Sequence, residues 1–261
     1  MAAAIPSELR ERNVRQLLMQ YAVPAIIAMT ASSLYNMVDS IFIGHIPGVG
    51  HYAISGLAVT FPLMNLSTAL GTLVGVGAST MLSVLLGQRN YKAAGKVLTN
   101  EFLLNIIIGL IFSAVFIAFL SPILCFFGAS ENTLPYARDY MFIILLGNVV
   151  THLYFGLNNV IRASGHPKMA MGLTIFTVLF NTVLDPIFIF GFGMGIKGAA
   201  LATVICQCIA LAYTLRFFFD QNNFLHLPAR LKDFRLDMKV AMDSLTIGMG
   251  PFLMNSASCI V

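Results

Sequence analysis

Asn181-Thr182-Val183-Leu184-Asp185-Pro186-Ile187-Phe188-Ile189-Phe190-Gly191 is apolar enough to span a membrane, yet it carries an acid with an amide one helical turn before it and a proline immediately after. A carboxylate at the centre of a spanning helix costs about 2.5 to 3.5 kcal/mol on insertion scales, so such a residue faces a protein interior or a watery cavity and marks an ion or substrate path. Asn36-Met37-Val38-Asp39-Ser40-Ile41-Phe42-Ile43-Gly44 has nearly the same pattern around Asp39. Two isolated acids in two lipid-like segments are therefore the expected functional centre.

The chain around these stretches is 58% hydrophobic and 10% charged, against about 45 to 50% and 25% in an ordinary soluble domain. This is the composition of an all-α membrane protein. Counted in spans of about 20 residues, the sequence gives a six-transmembrane-helix bundle and the start of a seventh helix. The spans are expected near Tyr21–Gly44, Ala53–Leu86, Val97–Leu120, Ala137–Ile161, Met169–Phe190 and Gly198–Phe219. Residues 1–20 read as a cytoplasmic N-terminal segment, 21–219 as the six-helix lobe, 220–244 as a cytoplasmic amphipathic connector and 245–261 as the truncated start of a second lobe. Met1 to Gln20 lacks a compact apolar run before a small-residue cleavage site, so the first span is expected to direct insertion itself.

Apart from Arg138 and Lys197, all of the 15 Lys and Arg lie in the N-terminal segment, in alternate connections or at the adjoining helix ends. The positive-inside rule places these connections and the N-terminus in the cytoplasm. The net charge of +4 thus reports topology in an inner (plasma) membrane, and no nucleic-acid partner is expected. The four cysteines show no metal-ligand spacing and read as small buried apolar residues. Gly71-Thr72-Leu73-Val74-Gly75 has the spacing that lets membrane helices approach closely. Pro24, about one turn inside the first span, removes a backbone donor and favours a bend or hinge.

Val38-Asp39-Ser40-Ile41-Phe42-Ile43 matches Leu184-Asp185-Pro186-Ile187-Phe188-Ile189, and Gly56-Leu57-Ala58-Val59-Thr60 resembles Ala200-Leu201-Ala202-Thr203. The hairpin of the first two spans thus resembles that of the fifth and sixth, in the same orientation, as in parallel transporter repeats. Both acids then lie at one depth. Asn181 and Asp185, like Tyr35 and Asp39, are four residues apart and share a helix face. Thr203 can add a hydroxyl. Such oxygens suit a sodium ion held by Asp39 and Asp185, and the same acids could hold protons instead; the sequence leaves both open. His152 reads as a satisfied interior histidine. No nucleophile and base set, zinc signature or phosphate loop supports an enzyme, and no cofactor other than sodium is implied.

Pro24, Leu34 to Asp39, Asn158 to Gly165, Asn181 to Phe190 and Gly198 to Thr203 together resemble the amino-terminal lobe of the multidrug and toxic compound extrusion (MATE) transporters, particularly the DinF-like branch. The resemblance implies antiport of organic, often cationic or hydrophobic drug-like compounds against sodium or protons. It also implies a cation site at Asp39, Asn158, Asn181, Asp185 and Thr203, with Tyr35 and Tyr140 adjoining and Pro24 at a bend. Such transporters have two six-helix lobes, so the chain is expected to be a fragment whose partner is a second lobe. Counted along the helices, Asn158 is expected nearer the cytoplasmic side than Asn181. A lipid-precursor flippase and a non-transporting six-helix scaffold are the alternatives.

Overall fold

The computed structural model describes residues 14–221, 223–228 and 234–257. With no water in the hydrocarbon region to take up backbone groups, apolar segments satisfy them internally as helices, and every regular element among the described residues is helical. These are α1 (Val14–Gly44), α2 (Gly50–Gly87), α3 (Tyr91–Ala118), α4 (Leu120–Phe126), α5 (Leu134–Leu146), α6 (Asn148–Ala163), α7 (Pro167–Pro186, continued by a π turn at Ile187–Gly191), α8 (Ile196–Phe219) and α9 (Met238–Ala257). Five of them are long and apolar enough to cross a membrane, or six if the bent pair α5 and α6 counts as one span. The chain is a multi-pass membrane protein.

Several boundaries differ from the sequence expectation for identifiable reasons. The fourth span is two helices meeting at 58°. Gly147 lies at the break, where an added Cβ would stand 2.6 Å from a methyl of Val204, so α8 presses on the span there. Beyond Asp185, Pro186 has no N–H to offer the preceding turn. The chain widens into the π turn, with Phe192 N–H donating to the Ile187 carbonyl at 2.9 Å.

Val14 to Gln20 belongs to α1, which continues through Pro24, and only 1–13 of the expected N-terminal segment lies outside the described residues. The expected connector at 220–244 is non-helical where it is described up to Asp237, and α9 starts at Met238 instead of near Leu245. Residues 258–261, including Cys259, are outside the described residues. Cys125 and Cys208 are exposed on the apolar surface, while Cys206 is buried.

The six spans form a bundle in which α2 is central, packed on α3, α6 and α9, with α1 against α7 at one edge. Besides a small third cluster of Val74, Leu104 and Ala241, the core has two large parts. One, at the end rich in Lys and Arg, is built from Leu82, Leu98, Leu157, Ile161 and Phe218. The other, at the opposite end, is built from Ile43, Leu63, Tyr140, Met141 and Leu145. Between them lies a buried polar layer: Ser67 from α2, Glu101 and Asn105 from α3, and Asn148 and His152 from α6. Close backbone approach holds this layer together. Gly71 packs on His152, and Gly75 lies where a Cβ would come within 2.7 Å of the Gly156 Cα, as the glycine spacing suggested.

Candidate cation site

Four helices converge on the two intramembrane acids. Asp39 comes from α1, Tyr140 from α5, Asp185 and Asn181 from α7, and Thr203 from α8. The spacing of four turns Asn181 and Asp185 inward together, while Leu179, Val183 and Ile187 on the other face of the same helix are exposed as lipid-facing residues would be. Asp39, Tyr140, Asn181 and Asp185 are all buried. The Asp185 carboxylate lies within electrostatic range of Asp39, Tyr35 and Tyr140.

Thr203 is the hydrogen-bonding hub. Its hydroxyl is 2.9 Å from the Tyr35 hydroxyl and accepts the Asn181 amide N–H at 3.4 Å, tying α1, α7 and α8 together. With the amide nitrogen of Asn181 turned to Thr203, four buried oxygens have no hydrogen-bond partner: Asp39 Oδ1, both carboxylate oxygens of Asp185 and Asn181 Oδ1. An unsatisfied buried carboxylate is among the most expensive groups a protein can hold. These oxygens are acceptors, so the arrangement suits a bound cation or protons on the carboxyls. Thr203→Val keeps the shape but removes both bonds of the hub. It is expected to cost about 1 to 3 kcal/mol, read as a lower unfolding midpoint in detergent, with Thr203→Ser close to wild type.

Asn158 does not join this cluster. Its side chain donates to the Ala170 carbonyl at 3.2 Å and accepts from Arg162 Nη2 at 3.2 Å, so it ties the end of α6 to the start of α7 at the basic end. The bend at Gly147 does not bring it to Asn181, and its polar atoms are engaged in holding two helices together. Tyr35 is half-buried beside the acids, and Pro24 lies inside a continuous α1.

Three further buried residues lie in or near this region, Cys206 among them as the sequence suggested. Cys206, one turn beyond Thr203, is buried within electrostatic range of Asp185. Glu101 is a third buried acid, in the polar layer instead of the site. His152 is only half satisfied: Nε2 is 3.1 Å from the Ser67 hydroxyl and Nδ1 has no partner.

The MatE family model matches residues 24–187. Over 244 residues the chain is 30% identical to the multidrug export protein MepA of Staphylococcus haemolyticus (strain JCSC1435), covering 94% of this chain and 53% of that protein. MepA of Staphylococcus aureus (strain NCTC 8325 / PS 47) is 30% identical over 238 residues, covering 91% and 52%. The chain thus spans about half the length of the curated relatives it matches. A solved MOP superfamily transporter from Pyrococcus furiosus Vc1 (DSM3638) superposes with a TM-score of 0.87 at 23% identity, over 98% of this chain and 55% of that one. With the family model covering more than half of its residues, the chain belongs to the MatE family.

Proposed function

We propose that this lobe works in a secondary antiporter that exports organic, often cationic or hydrophobic drug-like compounds in exchange for sodium or protons. The observation that carries the reading is the set of four buried, unpartnered oxygens of Asp39, Asn181 and Asp185 beside Thr203. A coupling ion bound there satisfies them, and its release leaves two acids facing one another in a dry site. That difference gives the ion a preference between two arrangements of the helices, which any ion-driven transition requires. Asp39 and Asp185 hold the ion, and Asn181 and Thr203 add oxygens. Pro24 lets α1 change shape and so alter the separation of Asp39 from α7.

Alternating access in transporters built from repeats is a rocking of one half against the other around a central site. The second half is proposed to be a lobe of the kind that makes up the remaining length of the relatives. The likeness to the multidrug export protein MepA supports the same reading, and the Lys and Arg distribution supports an inner-membrane setting with a cytoplasmic N-terminus. The test is efflux of a fluorescent lipophilic cation from vesicles containing a full-length version of the protein, under imposed sodium or proton gradients. Efflux driven by one of the two gradients and lost on collapsing it is the expected result; efflux indifferent to both overturns the reading.

A further inference from the structure

Away from the cation site, the α3–α6 seam holds a carboxyl group that the transport reading does not use. Glu101 is 1% exposed and belongs to the polar layer between the two large parts of the core. Its Oε1 accepts the Asn105 amide N–H at 2.7 Å, while its Oε2, also buried, has no partner. The seam is closed tightly over it. An added Cβ at Gly156 would stand 2.0 Å from Glu101 Oε1 and 2.4 Å from Asn105 Nδ2, so the glycine provides the room the pair occupies and little is left for a hydrated ion.

Among the described residues, no ion pair is made to Glu101. Tyr91, Lys92 and Lys96 lie on the same helix, His152, Tyr154 and Arg162 on α6, and Arg235, Asp237, Lys239 and Asp243 at or just before the start of α9, while the titratable groups of α2 are His51 and Tyr52 at its far end. Arg162 is engaged with Asn158, and His152 faces Ser67. The short helix α4 and the helix α5, with Arg138 and Asp139, pack toward the other end of α3.

We propose that Glu101 is a second proton-binding site of this lobe, holding its proton while α3 and α6 are packed and releasing it only when that seam opens. A protonated carboxyl leaves a neutral buried oxygen where an ionised one would leave an unpaired buried charge, and only the neutral form suits a dry, closely packed seam. The residues just before it along α3 border open space: Thr99 and Asn100 line a cavity of about 920 Å³ at the basic end, shared with Lys96 and Arg235. Opening the seam toward this cavity hydrates the carboxyl and lets the proton go. Helix separation and proton release are thereby linked, independently of Asp39 and Asp185.

The sequence offers a clean probe, because its glutamates are Glu8, Glu11, Glu101 and Glu131, and only Glu101 lies in a span. The purified chain, labelled with carbon-13 at the glutamate carboxyl, is examined by infrared spectroscopy in detergent at pH 8. A label-shifted carbonyl band of a protonated acid, absent in Glu101→Gln, is the expected result. A label that shifts only carboxylate bands shows Glu101 ionised and overturns the proposal. Aspartates are silent here, so the outcome stands whatever becomes of the Asp39 and Asp185 reading.

Thermal unfolding gives a second readout. An unfolded glutamate is ionised at neutral pH, so the folded state binds the extra proton and stability falls as pH rises. The wild type is expected to lose up to about tenfold in the folding equilibrium per pH unit relative to Glu101→Gln. Parallel pH profiles for the two proteins also overturn the proposal.

Discussion

Asp185→Asn is expected to abolish the response of the purified chain to the coupling ion. If the ion is sodium, the wild type at a sodium concentration one hundred times Kd gains about 2.7 kcal/mol by ligand linkage, which for a domain of this size is a rise of roughly 5 to 11 °C in the unfolding midpoint. In Asp185→Asn the rise disappears. Both oxygens of Asp185 lack hydrogen-bond partners, so the native site is built around charge that something else must neutralise. The amide keeps the shape, removes that charge and replaces one acceptor by a donor, which repels a cation. Without the ion, the variant is expected to be at least as stable as the wild type, because the electrostatic conflict with Asp39 is gone. The measurement is a sodium titration of thermal unfolding at several pH values. A sodium response equal in the two proteins removes Asp185 from the site, whereas indifference to sodium in both favours protons as the coupling ion.

Gly248→Leu is expected to detach α9 from the bundle. A Cβ on Gly248 would stand 1.9 Å from the Leu73 carbonyl oxygen, and one on Gly77 would stand 1.9 Å from that of Ser244. The neighbours in both cases are backbone atoms of helices in mutual contact, which cannot swing aside as a side-chain tip can. Overpacking a core typically costs about 1 to 3 kcal/mol where side chains can adjust, and here the adjustment available is for the two helices to separate. The Ser244 hydroxyl lies 3.2 Å from the Met81 sulfur in the packed state. Cysteines placed at these two positions in a cysteine-free background are therefore expected to link efficiently with a short bifunctional thiol reagent. Addition of Gly248→Leu is expected to lower that yield severalfold. Undiminished cross-linking would mean that α9 accommodates the side chain without leaving α2.

Much of this architecture is readable in the residues themselves. The number of spans follows from the length and polarity of the apolar runs, and the seam of Gly71 and Gly75 follows from a small-residue spacing that has few other uses in a spanning helix. The repeat around Asp39 and Asp185 gives the two acids a common depth, and the packing of α1 on α7 brings their helices together. What was illegible depends on partners remote in sequence. The break at Gly147 interrupts a run that reads as one helix, because its cause is Val204 on α8. The engagement of Asn158 with Ala170 and Arg162 likewise appears only when α6 and α7 are seen together. Glu101 was concealed by a boundary. With a span starting at Val97 it sits at the rim, but α3 starts at Tyr91, which puts it roughly 15 Å along a 28-residue helix, about a third of the way in.

The division of the apolar core by a polar layer has a mechanical consequence. In a lobe with one continuous core, a fluctuation at any depth disturbs the same cooperative unit. Here the clusters around Leu98 and around Leu145 each keep their own packing, while the layer of Ser67, Glu101, Asn105, Asn148 and His152 between them is held by directional polar contacts. Groups of this kind define separate opening units in native proteins. The lobe is thus two apolar blocks meeting at a polar joint, and the bend at Gly147 falls at the level of that joint.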